Sequence, residues 1–110
     1  FENVFEATGF LEVLGDPEII PVRDSQRRGA FVAFRPLSAI VAPSGTCGAP
    51  RMNGKVVSVY YATDGEGRAL VDVGLDKPVR CSIGRYRPDL GEIVDVCLDP
   101  NGLSIVSQWP

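Results

Sequence analysis

The second half of the chain carries a two-residue alternation of apolar and polar positions. Residues 55–61, Lys-Val-Val-Ser-Val-Tyr-Tyr, have the β-branched and aromatic content of a strand. Residues 68–75 alternate more strictly, with Ala69, Val71, Val73 and Leu75 on one face and Arg68 and Asp72 on the other. Residues 79–83 and 92–98 predict two further strands, and residues 103–107 a fifth. Turn chemistry separates them. Asn53-Gly54 predicts a tight turn because both residues tolerate positive φ. Residues 64–67 form a glycine-containing loop, residues 76–78 a turn, and residues 84–91 a connector too short for a helix. Asp99-Pro100-Asn101-Gly102 predicts a four-residue turn with Pro fixing φ and Gly closing it.

The first half is patterned less clearly. Apolar residues at positions 1, 4, 5, 10, 11, 13 and 14 partly fit a helix face, but Gly9 and the valines weaken it, so a short helix and an extended arm both stay open. Gly15-Asp16-Pro17 breaks whatever precedes it, and residues 24–29, with Arg27 and Arg28, read as a polar loop. Residues 29–34 and 38–42 predict two strands interrupted at Arg35-Pro36, followed by a Gly/Pro-rich loop over 43–50. Three consecutive strands, a connector and a hairpin give the order of a small five-stranded barrel, in which closure removes exposed edges. The expectation is therefore an all-β fold in a single domain of residues 1–110. An OB-like or SH3-like barrel occupies about 53–109, and residues 1–46 add an N-terminal arm of extra strands.

Composition narrows the function classes. The chain has 110 residues and is 45% hydrophobic, enough for one core. No apolar run approaches the roughly 20 residues of a spanning helix and no basic-then-apolar leader opens the chain, so no membrane partner is expected. Eleven Lys plus Arg against fourteen Asp plus Glu give a net charge of −3, a poor balance for gripping phosphate backbones. There is no histidine, which removes the commonest general base, metal ligand and pH switch. Neither a C-x-x-C pair nor a D-x-D-x-D-G loop is present, and no metal or cofactor is expected. Asp64, Glu66, Asp76, Asp89 and Glu92 read as solvated turn residues rather than catalytic carboxylates, so neither a small-molecule substrate nor enzymatic activity is expected. Cys47, Cys81 and Cys97 are odd in number and widely spaced, which predicts three free thiols; a Cys81–Cys97 bridge is the alternative.

Two surfaces stand out. Arg80 and Arg85-Tyr86-Arg87 form the one basic cluster with an aromatic, and Tyr60 and Tyr61 on a strand could stack bases beside them. The competing reading pairs Arg80 with a cross-strand Asp and packs the tyrosines on the barrel wall; nucleic acid is the less favoured partner. Leu70, Ile93 and Val106 oppose the inward apolar positions of their strands. Such doubling predicts an outer wall covered by the first half of the chain or by another subunit.

Two resemblances add to this. Gly45-Thr46-Cys47-Gly48-Ala49-Pro50 resembles the G-x-C-G-x-P turn of viral chymotrypsin-like cysteine proteases. That likeness implies Cys47 as nucleophile and the amides near Gly45 and Cys47 as oxyanion donors, but the chain lacks the histidine and the first barrel that family needs. From Gly54 onward, Gly-Lys-Val-Val-Ser-Val, Gly67-Arg-Ala-Leu-Val-Asp-Val-Gly74, Tyr86-x-Pro88-x-x-Gly91-Glu-Ile-Val-Asp-Val and Pro100-x-Gly-Leu-Ser-Ile-Val106 resemble the OB-type barrels of tailed-phage tail, baseplate and spike proteins. Trp109 stands where those barrels end in an apolar-to-Trp tail. The same grammar is similar to that of accessory barrels in transporter ATPases and of RNA-binding barrels. The phage resemblance implies a non-enzymatic virion component (tail, connector or decoration) assembled in the host cytoplasm. Its partners would be other virion proteins and copies of itself, with Leu70, Ile93, Val106 and Trp109 as contact candidates. The alternative is a cytoplasmic OB-fold module for single-stranded nucleic acid or a protein partner, and the third reading is a protease fragment.

Overall fold

Inward-facing valines dictate the architecture. In the computed structural model, which describes residues 3–15, 30–48 and 50–106, they line a closed barrel. Its strands are β3 (Ala39–Pro43), β4 (Arg51–Tyr61), β5 (Gly67–Asp72), β6 (Val79–Ile83) and β7 (Ile93–Leu98). Alternate residues point into it: Ala39 and Val41, Met52 and Val56, Ala69 and Val71, Val79 and Cys81, Val94 and Val96 are all at most 2% exposed. Each such valine stabilises the fold by about 1.5–3 kcal/mol through removal of apolar surface from water. Small interior residues let five strands close around a filled centre.

Around the barrel the order is β3-β6-β5-β4-β7, closing from β7 back to β3. Strands β4, β5 and β6 form an antiparallel meander, β7 pairs antiparallel with β4, and β3 lies antiparallel to β7 and parallel to β6. This mixed, closed five-stranded arrangement is OB-like. It differs from the sequence expectation in which strand completes it. Residues 103–107 were expected to be the fifth strand; the structure uses β3, from the first half of the chain. The end of the chain instead contributes β8 (Ser104–Val106) to a second sheet of order β1-β2-β8. The reason is geometric. β6 and β7 each need a partner on the remaining edge, and β3 serves both, while the turn at Asp99–Gly102 sends the chain away from the barrel.

The second sheet resolves the ambiguity at the N-terminus, because both alternatives occur in succession. β1 (Asn3–Glu6) runs antiparallel to β2 (Phe31–Phe34), and α1 (Ala7–Leu14) follows without a break. Gly15 ends the helix in the left-handed region (φ 74°), its amide returning to Leu11 O at 2.8 Å. α1 buries Ala7, Phe10 and Leu14 against the sheet. There Phe5, Phe10 and Phe34 cluster with ring centroids 5.7–6.4 Å apart, continuous with the barrel core. Asn3 stitches the two sheets. It is 1% exposed, donates through Nδ2 to Arg80 O (2.9 Å) and accepts from Arg80 N (2.7 Å), occupying the place of a neighbouring strand beside the start of β6.

Most predicted turns are present. The break at Arg35-Pro36 is a 3-10 turn (Pro36–Ser38), and a second (Pro100–Gly102) is capped by Asp99, whose carboxylate accepts from Asn101 N at 3.0 Å. Asn53-Gly54 is the exception, lying inside β4 rather than at a turn. The polar loop at 24–29, and Trp109, lie outside the described residues.

Candidate functional site

The β3–β4 connection carries the densest polar chemistry on the barrel. Because β3 and β4 flank β7 on either side, the connection between them, described at residues 44–48 and at Pro50, passes over its outer face. The strand's period places Asp95 and Cys97 outward there, beneath the loop, while Val94, Val96 and Leu98 point inward. Asp95 is 2% exposed. Its Oδ2 accepts from Gly45 N at 2.8 Å and its Oδ1 from Asn53 Nδ2 at 3.1 Å. Arg51 Nε stands 4.0 Å away with its side chain half exposed, a weak ion pair on its own. Burial pushes the Asp95 carboxyl upward. The Asn53 and Gly45 donors, the Arg51 charge and the Cys47 amide together outweigh it and hold the carboxyl below its ordinary range. Leu98 N donates to Pro50 O and Arg51 Nη1 to Cys47 O, fastening the far side of the crossover.

Cys47, in this loop, is disulfide-bonded to Cys97 on β7, with Cα atoms 5.9 Å apart, inside the usual range for a bridge. This corrects the expectation of three free thiols, and also the alternative Cys81–Cys97 pairing. Cys81 and Cys97 lie on different strands that do not neighbour each other, and Cys81 points into the barrel. Burial pushes its thiol far up, so it stays protonated. The crossover therefore uses the groups that the protease resemblance assigns to chemistry for attachment instead. The Cys47 sulfur is bonded, and the Gly45 amide donates to Asp95.

The residues proposed to meet nucleic acid are only partly brought together. Tyr60 and Arg80 meet on the outer wall of the meander, Arg80 Nη1 donating to Tyr60 Oη at 3.3 Å. Arg68 lies between their strands, is buried, and pairs with Asp64 at 3.3 Å. Tyr61 is on the opposite face, opposite Gly67, and is 67% exposed. Arg85, Tyr86 and Arg87 belong to the connector after β6. Both arginines are exposed, Arg87 Nη1 donates to Gly84 O, and Tyr86 packs half-buried against the core.

The subunit-contact candidates also divide. Leu70 is half-buried, Val106 lies in β8 opposite Phe31, and Ile93 is 52% exposed. Ile93 has apolar company that the sequence did not single out. Lys55 faces Ile93 across the β4–β7 ladder, and Gly91 N donates to Val56 O at 2.8 Å, which sets Val57 diagonally across from Ile93 on the outer wall. Val57 is 46% exposed and Leu90, in the adjoining turn, 70%. A separate cavity of about 260 Å³ lies between α1 and the turn after β5, floored by Phe5, Val13 and Leu75 and rimmed by Glu6, Glu12 and Asp76. Among the described residues no cluster of His, Cys, Asp and Glu has the geometry of a metal site, and no helix is long and apolar enough to cross a membrane. No family model matches the sequence, and no curated protein aligns with it significantly.

Proposed function

We propose that this chain is a non-enzymatic β-barrel module that works by touching protein neighbours in a larger assembly. The observation that carries the reading is the exposed apolar pair Val57 and Ile93 on the β4–β7 wall, with Leu90 exposed in the adjoining turn, on a barrel whose interior is already filled by its own side chains. With the barrel interior of the described residues packed by side chains, the outer wall is where this reading places contacts, and clustered outward apolar residues favour a protein surface over a nucleic-acid backbone. A structural part of a phage-like virion is the leading form of this role, with copies of itself and other virion proteins as partners. The Cys47–Cys97 bridge suits a particle assembled in a reducing cell and then released from it. The alternative is a cytoplasmic OB-fold module for single-stranded nucleic acid or a protein partner.

Native mass spectrometry and sedimentation of the chain, alone and with Ile93→Lys, test the role. Self-association through this wall gives a closed oligomer at micromolar concentration that Ile93→Lys reduces to monomer without loss of thermal stability. A wild-type monomer that the substitution leaves unchanged removes the virion form. Tight, salt-dependent binding of a labelled single-stranded oligonucleotide, lost in Arg85→Ala with Arg87→Ala, would replace the protein-contact reading altogether.

A further inference from the structure

The crossover between β3 and β4 is held by few and dissimilar fasteners. Its residues Pro43, Ser44, Gly45 and Thr46 are exposed and bring no large apolar side chain to bury, so hydrophobic packing does not hold it down. The polar fasteners are the Gly45 and Cys47 amides on the buried Asp95 carboxylate, Asn53 Nδ2 on Ser44 Oγ, the Pro50 carbonyl on Leu98 N and the Cys47 carbonyl on Arg51. The covalent link is Cys47–Cys97, and both residues are half-buried rather than enclosed, which leaves the sulfurs open to a small thiol. Cys81, sealed in the barrel, has no such access. The bridge does not support the barrel ladder itself. β7 keeps its hydrogen-bonded partners β3 and β4 whether or not the loop is pinned over its outer face.

We propose that Cys47–Cys97 is a reversible redox latch. In the oxidised form it clamps the β3–β4 crossover over the outer face of β7; in the reduced form the crossover lifts and uncovers Asp95 and Asn53 beside Ile93. The step is a thiol–disulfide exchange. A thiolate of a low-molecular-weight thiol attacks one sulfur, the Cys47–Cys97 bond breaks, and a mixed disulfide forms. A second thiol of the reductant then displaces it, so the cysteine pair gains two electrons and two protons and the reductant leaves as its disulfide. The structural consequence is local, because β7 stays paired with β3 and β4 beneath the crossover. The latch is independent of which neighbour the β4–β7 wall contacts.

The test uses the full chain equilibrated with oxidised glutathione, then with dithiothreitol, then re-oxidised. N-ethylmaleimide labelling with peptide mapping reads the sulfurs, and amide hydrogen exchange by NMR reads the loop. The oxidised protein takes up no label in native buffer. The reduced protein takes up two, at Cys47 and Cys97, and Cys81 reacts only in denaturant. Reduction speeds exchange at Gly45 and Leu98 by tenfold or more, leaves Val71 and Val94 unchanged, and is undone by re-oxidation. Cys47→Ser exchanges like the reduced protein with or without dithiothreitol. Labelling of Cys47 and Cys97 in the glutathione-oxidised protein overturns the proposal, as does unchanged exchange at Gly45 on reduction. Faster exchange at Val71 and Val94 as well overturns it too, since the bridge would then be a staple for the whole fold.

Discussion

A single carboxylate shows how a residue's role is set by what the chain folds over it. Asp95 occupies an ordinary outward position of a strand, where a polar residue needs no explanation. The crossover buries it and supplies donors from Gly45 and Asn53, so the charged form is favoured despite the loss of water. Because its folded-state pKa lies below the unfolded one, Asp95 contributes stability that is fully present above the unfolded carboxylate value and is lost as pH falls through the folded value. The resistance of the wild type to urea should therefore fall from about pH 4 downward. Asp95→Asn, which turns an NH2 donor toward a group that is itself a donor and needs an acceptor, should cost about 2 kcal/mol at neutral pH, with the gap to wild type closing toward pH 2. Equal pH profiles for the two proteins would show that the carboxylate contributes nothing. Nothing local in the sequence marks Asp95, and the same holds for Asn3. Their significance comes from partners 42 to 77 residues away. The Cys47–Cys97 pair is hidden in the sequence for a related reason. Spacing along the chain does not say which strands are neighbours, and Cys47 reaches Cys97 only because its loop must cross β7.

At the scale of the element, local chemistry was legible wherever one strand face is buried and one wet. The third strand of the meander, β6, coincides with the sequence expectation at Val79–Ile83, and the inward face of β5 follows the expected alternation at Ala69 and Val71, although the strand ends at Asp72 and leaves Val73 and Leu75 in the turn beyond it. Asn53-Gly54 misled because its tolerance of positive φ permits a turn without requiring one. The glycine is there for space. A Cβ on Gly54 would lie 2.5 Å from Asp72 O and 2.7 Å from Cγ1 of both Val71 and Val73, where β4 coils closely against β5. The obstructing oxygen is backbone, so the clash can be relieved only by spreading the hairpin. Gly54→Ala should therefore destabilise by about 3 kcal/mol, although alanine is the better strand residue by size and propensity. Denaturant unfolding checks it; a loss under about 1 kcal/mol would mean the β4–β5 pair accommodates a methyl group there.

For the whole molecule, what the sequence concealed is the connection between its halves. The barrel was legible as a class, from five short apolar strands in a valine-rich chain, and its closure followed from the need to remove edges. Its membership was not, because a parallel pair such as β3–β6 has no hairpin to announce it and joins residues far apart in the chain, Ile40 with Ser82 and Val41 with Ile83. Of the described residues before the crossover, β3 is a stave of the barrel, while β1 and β2 lie beside it in the second sheet. β3 supplies two ladders, and Phe5, Phe10 and Phe34 extend the same core. A fragment of residues 47–110 retains every strand of the meander and β7, but leaves both β6 and β7 with an unpaired edge and the interior open on the side that Ala39 and Val41 fill. It should show no cooperative thermal transition by circular dichroism and should associate nonspecifically, whereas the full chain unfolds in one step. If the fragment instead melts cooperatively near the full-length midpoint, then the meander and β7 make a self-sufficient sheet. The first half of the chain would in that case be a cover on the barrel and not one of its staves.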